Sequence, residues 1–433
     1  MYVNQLEKPF LEELEARGLL KQRTAELVEP DFSAAERPTL YVGYDPSATS
    51  LHAGSLIPIL TMDRFRRRGG QIIILLGGAT GLIGDPSGKD LERKLENEAS
   101  VLKRIGMLAA QLQGLFARTE GPEPIVVNNG DWYGGMPVLQ FLRDIGKHFS
   151  VNQMLTRESV RSRLEDRDHG ISFTEFSYQL FQGYDFLHLF QTYGCTIQMG
   201  ASDQWGNIVS GVDLVRRVAG STVHGLTLPL LTNSEGKKYG KSEKGAVWLD
   251  PELTSPYLFY QFWWNSTDDD APRFLRWLTD YSEQEVEELA KGSPELRLPQ
   301  KALADYLTAR VHGAEQADLA RRVSAVIFSD DFGQLSNDVV DVLASTVPTV
   351  RVSAAEPCLI AETLVLLKAC KSKSEARRLI TQGAVSVNGQ KLSAAEEELA
   401  GYSAGRDALV VAVGKSRRFL VHFDQSTRHS SSR

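Results

Sequence analysis

Apolar residues fall in short unbroken runs through the first half of the chain and at helical spacing through the second. Thr39–Tyr44 (Thr-Leu-Tyr-Val-Gly-Tyr) and Gln71–Leu76 are continuous runs of strand length, the pattern of strands buried on both faces. Asp45-Pro46-Ser47 breaks the first run, and Gly77-Gly78 closes the second. Between them Leu56, Ile59, Leu60 and Phe65 keep helical spacing until Arg66-Arg67-Arg68-Gly69-Gly70 ends the helix. Strand, helix and strand in this order predict a parallel βαβ unit with a right-handed crossover. Ile125-Val126-Val127 and Thr196–Met199 read as further strands of the same sheet. Ligands of such sheets sit beyond the carboxyl ends of the strands, where the glycines and polar loops fall here. The expected fold is therefore α/β, with a Rossmann-like parallel-sheet catalytic domain over residues 1–250.

From Pro251 to Val347 the pattern turns helical, and Phe274, Trp277, Leu278 and Tyr281 share one helical face. These aromatics are expected to be core and not a base-stacking surface. Residues 348–357, bracketed by Pro348 and Pro357, lose periodicity and are expected to form a linker. Over 358–425, two short helical stretches are followed by a Gly383 turn and a strand ending in Asn388-Gly389, which predicts a compact α+β module. The polar tail 426–433 is expected to be disordered.

Composition adds class and compartment. The 433 residues suffice for two or three domains, and no apolar run approaches the roughly 18 residues needed to span a bilayer. The N-terminal segment is glutamate-rich and lacks a basic region followed by an apolar core, so neither export nor organelle import is expected. Cys195, Cys358 and Cys370 are odd in number and form no C-x-x-C pair, which suits a reducing cytoplasm better than a disulfide framework or a zinc site. The net charge of −7 hides an asymmetry: Cys358 to Arg433 holds 12 Lys and Arg against 7 Asp and Glu. An acidic body with a basic C-terminal module is the arrangement expected when one part of a protein holds phosphates.

Two strings carry candidate chemistry. Lys238-Tyr239-Gly240-Lys241-Ser242 places two lysines and a hydroxyl on a glycine-containing loop, a cationic clamp. His52-Ala53-Gly54-Ser55 places a histidine in the turn after the first strand. The glycine-rich stretch from Gly77 to Gly88 is neither a P-loop, since Gly84 lies only four before Gly88 and Asp90 follows Lys89, nor a G-x-G-x-x-G fingerprint. A close backbone approach to a ligand remains, with Asp85 able to face an ammonium.

In this order the two strings resemble the ATP-binding signatures of class I aminoacyl-tRNA synthetases. From about Leu6 to Phe423 the chain resembles the bacterial-type tyrosyl-tRNA synthetases. The resemblance rests on Tyr41-Val42-Gly43-Tyr44-Asp45-Pro46, the stretch Gly77 to Lys89, Phe173-Thr174-Glu175-Phe176-Ser177-Tyr178 and Ser202-Asp203-Gln204-Trp205-Gly206-Asn207. It implies a ligase that activates tyrosine with ATP and Mg²⁺, needs no tightly bound cofactor or protein metal site, and works as a cytoplasmic homodimer. By resemblance Lys89, Arg93, Lys238 and Lys241 surround the pyrophosphate, with Ser242 and His52 assisting. Gly43, Asp45, Gly54, Asp203 and Gln204 join Lys241 around the ATP or adenylate. Tyr41 and Asp185 meet the phenolic hydroxyl of tyrosine, and Asp85, Tyr178 and Gln182 meet its ammonium, with Asn129 and Gln198 nearby. The helices of 251–347 would serve the anticodon. The C-terminal module resembles a small ribosomal-protein fold, and tRNA would meet it at Lys371, Lys373, Arg377 and Arg378. One departure stands out: Ser55 occupies the place of the family's second histidine, a shorter group that is never cationic.

Two other readings are open on the same residues. The tryptophan enzyme is built on a similar sheet, but the paired hydroxyl recognisers and the basic C-terminal module favour tyrosine. A catalytically reduced RNA-binding or splicing factor would show eroded ATP residues, whereas Lys89, Lys238, Lys241 and Asp203-Gln204-Trp205 are present.

Overall fold

A computed structural model describes residues 8–87, 97–165, 170–242, 245–328, 331–353, 358–392, 394–403, 407–414 and 417–424; at 158, 159, 162, 165, 241, 242, 334 and 400 only the backbone is described. The chain divides into two compact units between Val311 and His312.

The first unit is built on a six-stranded sheet: β1 (Gln22–Arg23), β2 (Thr39–Tyr44), β3 (Gln71–Leu76), β4 (Ile125–Asn128), β5 (Ile197–Ala201) and β6 (His224–Leu228). The spatial order is β1-β6-β5-β2-β3-β4. All neighbours are parallel except the edge strand β1, which runs antiparallel to β6. The chain moves from β2 outward through β3 to β4, then returns to the other side of β2 through β5 and β6. That reversal leaves a crevice at the carboxyl ends of β2 and β5. The apolar runs form β2 and β3 as expected, with Leu40, Tyr41, Ile72, Ile73 and Ile74 buried on both faces. Neither β1 nor β6 was expected: β1 is two residues long, and the His-Gly-Leu-Thr-Leu run of β6 is too short and mixed to stand out.

Helix Phe173–Tyr193 is capped by Ser172, whose Oγ accepts from Glu175 N, and ends at Gly194 with φ 62°. Tyr178, Gln182 and Asp185 fall four and three residues apart along it, so one stripe carries all three. Helices Pro256–Trp264, Asp270–Leu278 and Leu298–His312 belong with this unit for nearly all their length. The reason is a set of buried ties. Arg64 donates to the carbonyls of Trp277 and Thr279 at 3.1 and 2.6 Å, and Arg310 donates to Leu115 O at 2.6 Å. Phe274, Trp277 and Leu278 are buried core as expected, although the helix stops at Leu278 and Tyr281 lies beyond it.

The second unit contains helices Ala314–Phe328 and Asn337–Thr346 and a five-stranded sheet. The expectation of one helical domain over 251–347 is thus corrected, because its helices divide between the units. The sheet comprises β9 (Thr349–Ser353), β10 (Val385–Val387), β11 (Gln390–Lys391), β12 (Ala408–Val413) and β13 (Arg417–Asp424), in the order β11-β10-β12-β13-β9. Helices Ile360–Leu366 and Lys373–Thr381 pack on it, with Leu364, Ile380, Val387, Leu409 and Val421 in one core. Asn388 and Gly389 adopt φ 45° and 79° and turn β10 into β11, the hairpin their dipeptide favours. The expected linker is a second correction. Residues 349–353 pair in parallel with β13, and Val350 and Val352 pack against the core. The alternation Thr-Val-Arg-Val-Ser is the strand pattern that the flanking prolines obscured. Residues 354–357 and the tail 426–433 lie outside the described residues.

Candidate active site

A cavity of about 360 Å³ opens where β2 and β5 end. Tyr41 in β2 sits beside Gln198 in β5 in parallel register, and Phe186 packs on the Tyr41 ring at 5.3 Å. Tyr41 is wholly buried, yet its hydroxyl has no hydrogen-bond partner; nor do the side-chain carbonyls of Gln182 and Gln198, which line the same cavity. Buried polar atoms are rarely left without partners, so this end of the cavity is shaped for polar groups that a ligand supplies. Burial and the nearby Asp185 carboxylate both push the Tyr41 phenol well above its usual range, which keeps it a neutral donor.

Asp185 lines the cavity from helix Phe173–Tyr193. Its two oxygens accept from Asn129 Nδ2 and Trp132 Nε1, both at 3.0 Å. Burial raises its carboxyl, these hydrogen bonds oppose the rise only in part, and it settles at about 7. A neutral phenol and a carboxyl poised near neutrality, facing one cavity, suit a ligand hydroxyl that accepts from the first and donates to the second. Asn129 stands behind Asp185 and is not itself a lining residue of the cavity. It is fully buried, accepts from Ala79 N at 2.7 Å and donates to Thr80 Oγ1 at 2.9 Å as well as to Asp185.

The middle of the cavity is acidic. Asp45 accepts from Thr80 Oγ1 at 2.8 Å and from the Tyr178 hydroxyl at 2.9 Å. A Cβ on Gly77 would overlap the Asp45 carboxylate, so this close approach requires glycine. Asp85 accepts from Ser87 N at 2.9 Å and from Gln204 Nε2 at 2.6 Å. Asp203 also lines the cavity; burial and Asp85 raise its carboxyl, and Lys238 partly offsets them. Three carboxylates around one space favour a cationic group such as an ammonium.

At the far end His52 precedes the turn Ala53–Ser55, and its Nδ1 accepts from Gly54 N at 3.0 Å. In the neutral ring that bond leaves the proton on Nε2. Gly54 and Ser55 line the cavity with His52. His52 forms an antiparallel bridge to Trp248, flanked by Ala53 N to Val247 O at 2.8 Å and Leu249 N to Leu51 O at 2.9 Å. Gly240, with φ 128°, lies so near Gly54 that a Cβ would sit 3.3 Å from Gly54 N. The two glycine-bearing strings, nearly two hundred residues apart, are therefore neighbours. Tyr239 anchors the lysine string through its hydroxyl, 3.1 Å from Ser266 Oγ, and through ring contacts with Phe262 and Phe274. Lys238 is exposed; at Lys241 and Ser242 the backbones of β7 (Lys241–Ser242) and β8 (Gly245–Ala246) pair. Lys89 and Arg93 lie outside the described residues.

Tyr41, Gly43, Asp45, His52, Gly54, Ser55, Asp85, Tyr178, Gln182, Asp185, Gln198, Asp203 and Gln204 thus border a single cavity. Sequence reasoning missed Trp132 and Thr80, which hold Asp185 and Asp45. The one available signal for Trp132 was its position three residues after Asn129, in the loop leaving a parallel strand. In the second unit Lys371, Lys373, Arg377 and Arg378 are exposed on helix Lys373–Thr381 and the turn before it. Lys373 pairs with Glu362 at 2.5 Å and Arg377 with Glu396 at 3.8 Å.

Residues 33–329 match the family of class I tRNA synthetases (W and Y), and residues 338–421 match the tyrosine–tRNA ligase SYY-like C-terminal domain. The fold and cavity are accordingly those of a class I aminoacyl-tRNA synthetase of the tryptophan and tyrosine group. The tyrosine–tRNA ligase of Dechloromonas aromatica is 44% identical over 399 residues, 91% of this chain and 94% of that one. That of Staphylococcus saprophyticus is 43% identical over 96% and 99%. A C-terminally truncated mitochondrial tyrosyl-tRNA synthetase of Aspergillus nidulans superposes with a TM-score of 0.65 at 31% identity, covering 72% of this chain and 92% of that one. Within the group, the chain belongs to the bacterial-type tyrosine–tRNA ligase family.

Proposed function

We infer that the protein activates L-tyrosine with ATP and then esterifies tRNA(Tyr). The tyrosine carboxylate attacks the α-phosphorus, the bond to the β-phosphate oxygen breaks, and pyrophosphate leaves. The terminal adenosine hydroxyl of the tRNA next attacks the tyrosyl carbonyl, loses its proton and expels AMP. The first step needs no enzyme nucleophile, so alignment and charge stabilisation carry it. The observation that carries this reading is the unpartnered Tyr41 hydroxyl beside Asp185, in the same cavity as the His52 turn.

In this reading the phenolic oxygen of tyrosine accepts from Tyr41 and its hydrogen goes to Asp185. The ammonium lies among Asp85, Tyr178 and Gln182, with Gln198 beside it and Asn129 acting from behind Asp185. ATP, carried with Mg²⁺, lies along Gly43, Asp45, Gly54, Asp203 and Gln204. Neutral His52 donates through Nε2 to the phosphates. Ser55 offers a second, shorter contact, and Lys89, Arg93, Lys238, Lys241 and Ser242 receive the pyrophosphate. Phenylalanine brings no hydroxyl, leaving the Tyr41 hydroxyl unpaired and the Asp185 carboxyl without the ligand's donor, which disfavours it by about a hundredfold or more. Tyrosine-dependent pyrophosphate exchange, run across the standard amino acids, tests the reading; exchange supported better by tryptophan or phenylalanine refutes it.

The same reading assigns the exposed Lys371, Lys373, Arg377 and Arg378 to the tRNA backbone, and helices of residues 251–347 to the anticodon. It also makes the protein a homodimer. Val138, Leu139, Leu142, Val151, Leu164 and Phe173, all between residues 138 and 173, are 49–78% exposed, and a second copy of the chain would cover them. Sedimentation should give twice the chain mass, falling to one chain for Leu139→Asp with Phe173→Asp. No helix among the described residues is long and apolar enough to cross a membrane. The three cysteines are unpaired, which suits a cytoplasmic setting.

A further inference from the structure

Gln111 stands on helix Glu98–Phe116 and does not border the cavity, yet it reaches the turn that leads into His52. Its Oε1 accepts from Leu51 N at 2.8 Å and its Nε2 donates to Ser50 Oγ at 3.0 Å. A backbone N–H can only donate, so the first bond fixes which end of the amide is oxygen. Ser50 is 4% exposed, and its hydroxyl donates to Leu51 O at 2.8 Å while accepting from Asp250 N at 3.2 Å. Leu51 O also receives Leu249 N at 2.9 Å. One serine hydroxyl and one amide therefore join three segments: a long helix, the approach to His52, and the turn that follows the lysine string.

We propose that Gln111 and Ser50 are a positioning pair that sets His52 and the segment following the lysine string at a fixed separation across the nucleotide. This rests on the His52 end of the cavity being the ATP site. Gln111 does not border the cavity and acts through Ser50 and Leu51, which line its His52 end. Chemistry that depends on alignment loses rate steeply when a group shifts by a fraction of an ångström. Without Gln111, the Leu51 N–H in a nearly buried turn has no acceptor. The turn must then move to reach water, and His52, the next residue, moves with it.

The tyrosine subsite lies on other elements, so the effect should be one-sided. In the full-length protein, Gln111→Met removes both hydrogen bonds at similar volume. It should lower the rate of adenylate formation or raise the KM for ATP by about five- to tenfold, with the KM for tyrosine within twofold. Gln111→Glu keeps the acceptor for Leu51 N and should recover most of the loss, which a role in packing alone would not produce. Ser50→Ala, a smaller change, should show the same split and carries the test if the methionine variant does not fold. Unchanged ATP parameters in both variants, equal losses for ATP and tyrosine, or no recovery with glutamate each overturn the pair's role. Absence of tyrosine-dependent exchange in the unmodified protein would instead overturn the functional reading itself.

Discussion

Asp185 is held in a place that stabilises its neutral form. Its carboxyl rises from the ordinary aspartate range to about 7 because burial outweighs the donors from Asn129 and Trp132. Between about 4 and 7 the folded protein therefore binds a proton that the unfolded chain releases. The stability from this group is complete at low pH and is lost as pH rises through 7. Asp185→Asn should flatten the fall in melting temperature between pH 5 and 8 and raise it at pH 8, as read by calorimetry. Tyrosine, whose phenol needs the ionised form, should bind more weakly as pH drops below 7, and Asp185→Asn should remove that dependence too. Asp185→Ala should lower kcat/KM for tyrosine by about a hundredfold with little change in the KM for ATP; equal losses for both substrates would contradict the assignment. At Gly77 the constraint is one of space. Gly77→Ala forces Asp45 away from Tyr178 and Thr80, and adenylate formation should fall at least tenfold with the fold intact by circular dichroism.

Among the elements, β2 and β3 carry most of what the sequence could disclose. Unbroken apolar runs can hardly be anything but buried strands, and the strings at their carboxyl ends kept their order. Tyr178, Gln182 and Asp185 were legible only through the family resemblance, and the helix that puts them on one stripe emerged with the structure. Trp132 and Gln111 were not legible: each acts through a hydrogen bond to a residue roughly fifty or sixty positions away, and neither spacing nor composition records such a partner. β9 was missed for a local reason, since the prolines on either side outweighed five alternating residues. The ladder joining Leu51–Ala53 to Val247–Leu249 fixes one end of the lysine string, so any closure over ATP must come from the residues before it. Lys241→Ala should depress single-turnover adenylate formation while equilibrium binding of tyrosine stays within twofold.

For the whole molecule, the division at Val311 and His312 matters more than the end of the predicted helical region. A chain ended after residue 313 keeps the six-stranded sheet and its helices, and should exchange pyrophosphate yet fail to charge tRNA. A chain ended at residue 357 keeps Thr349–Ser353 without β13, leaving an unpaired strand edge with Val350 and Val352 uncovered. It should aggregate more readily than the shorter piece, as light scattering would show. If the basic segment from Cys358 to Arg433 holds RNA, tRNA affinity should fall log-linearly with salt, while tyrosine affinity should not.

The parallel pairing of β9 with β13 also sets a timetable for synthesis. The partner of the strand at 349–353 is not made until residues 417–424, so the sheet cannot close until some seventy further residues have left the ribosome. The tyrosine-activating unit can be folded well before then, and a stalled ribosome would release a chain able to make an adenylate it cannot deliver.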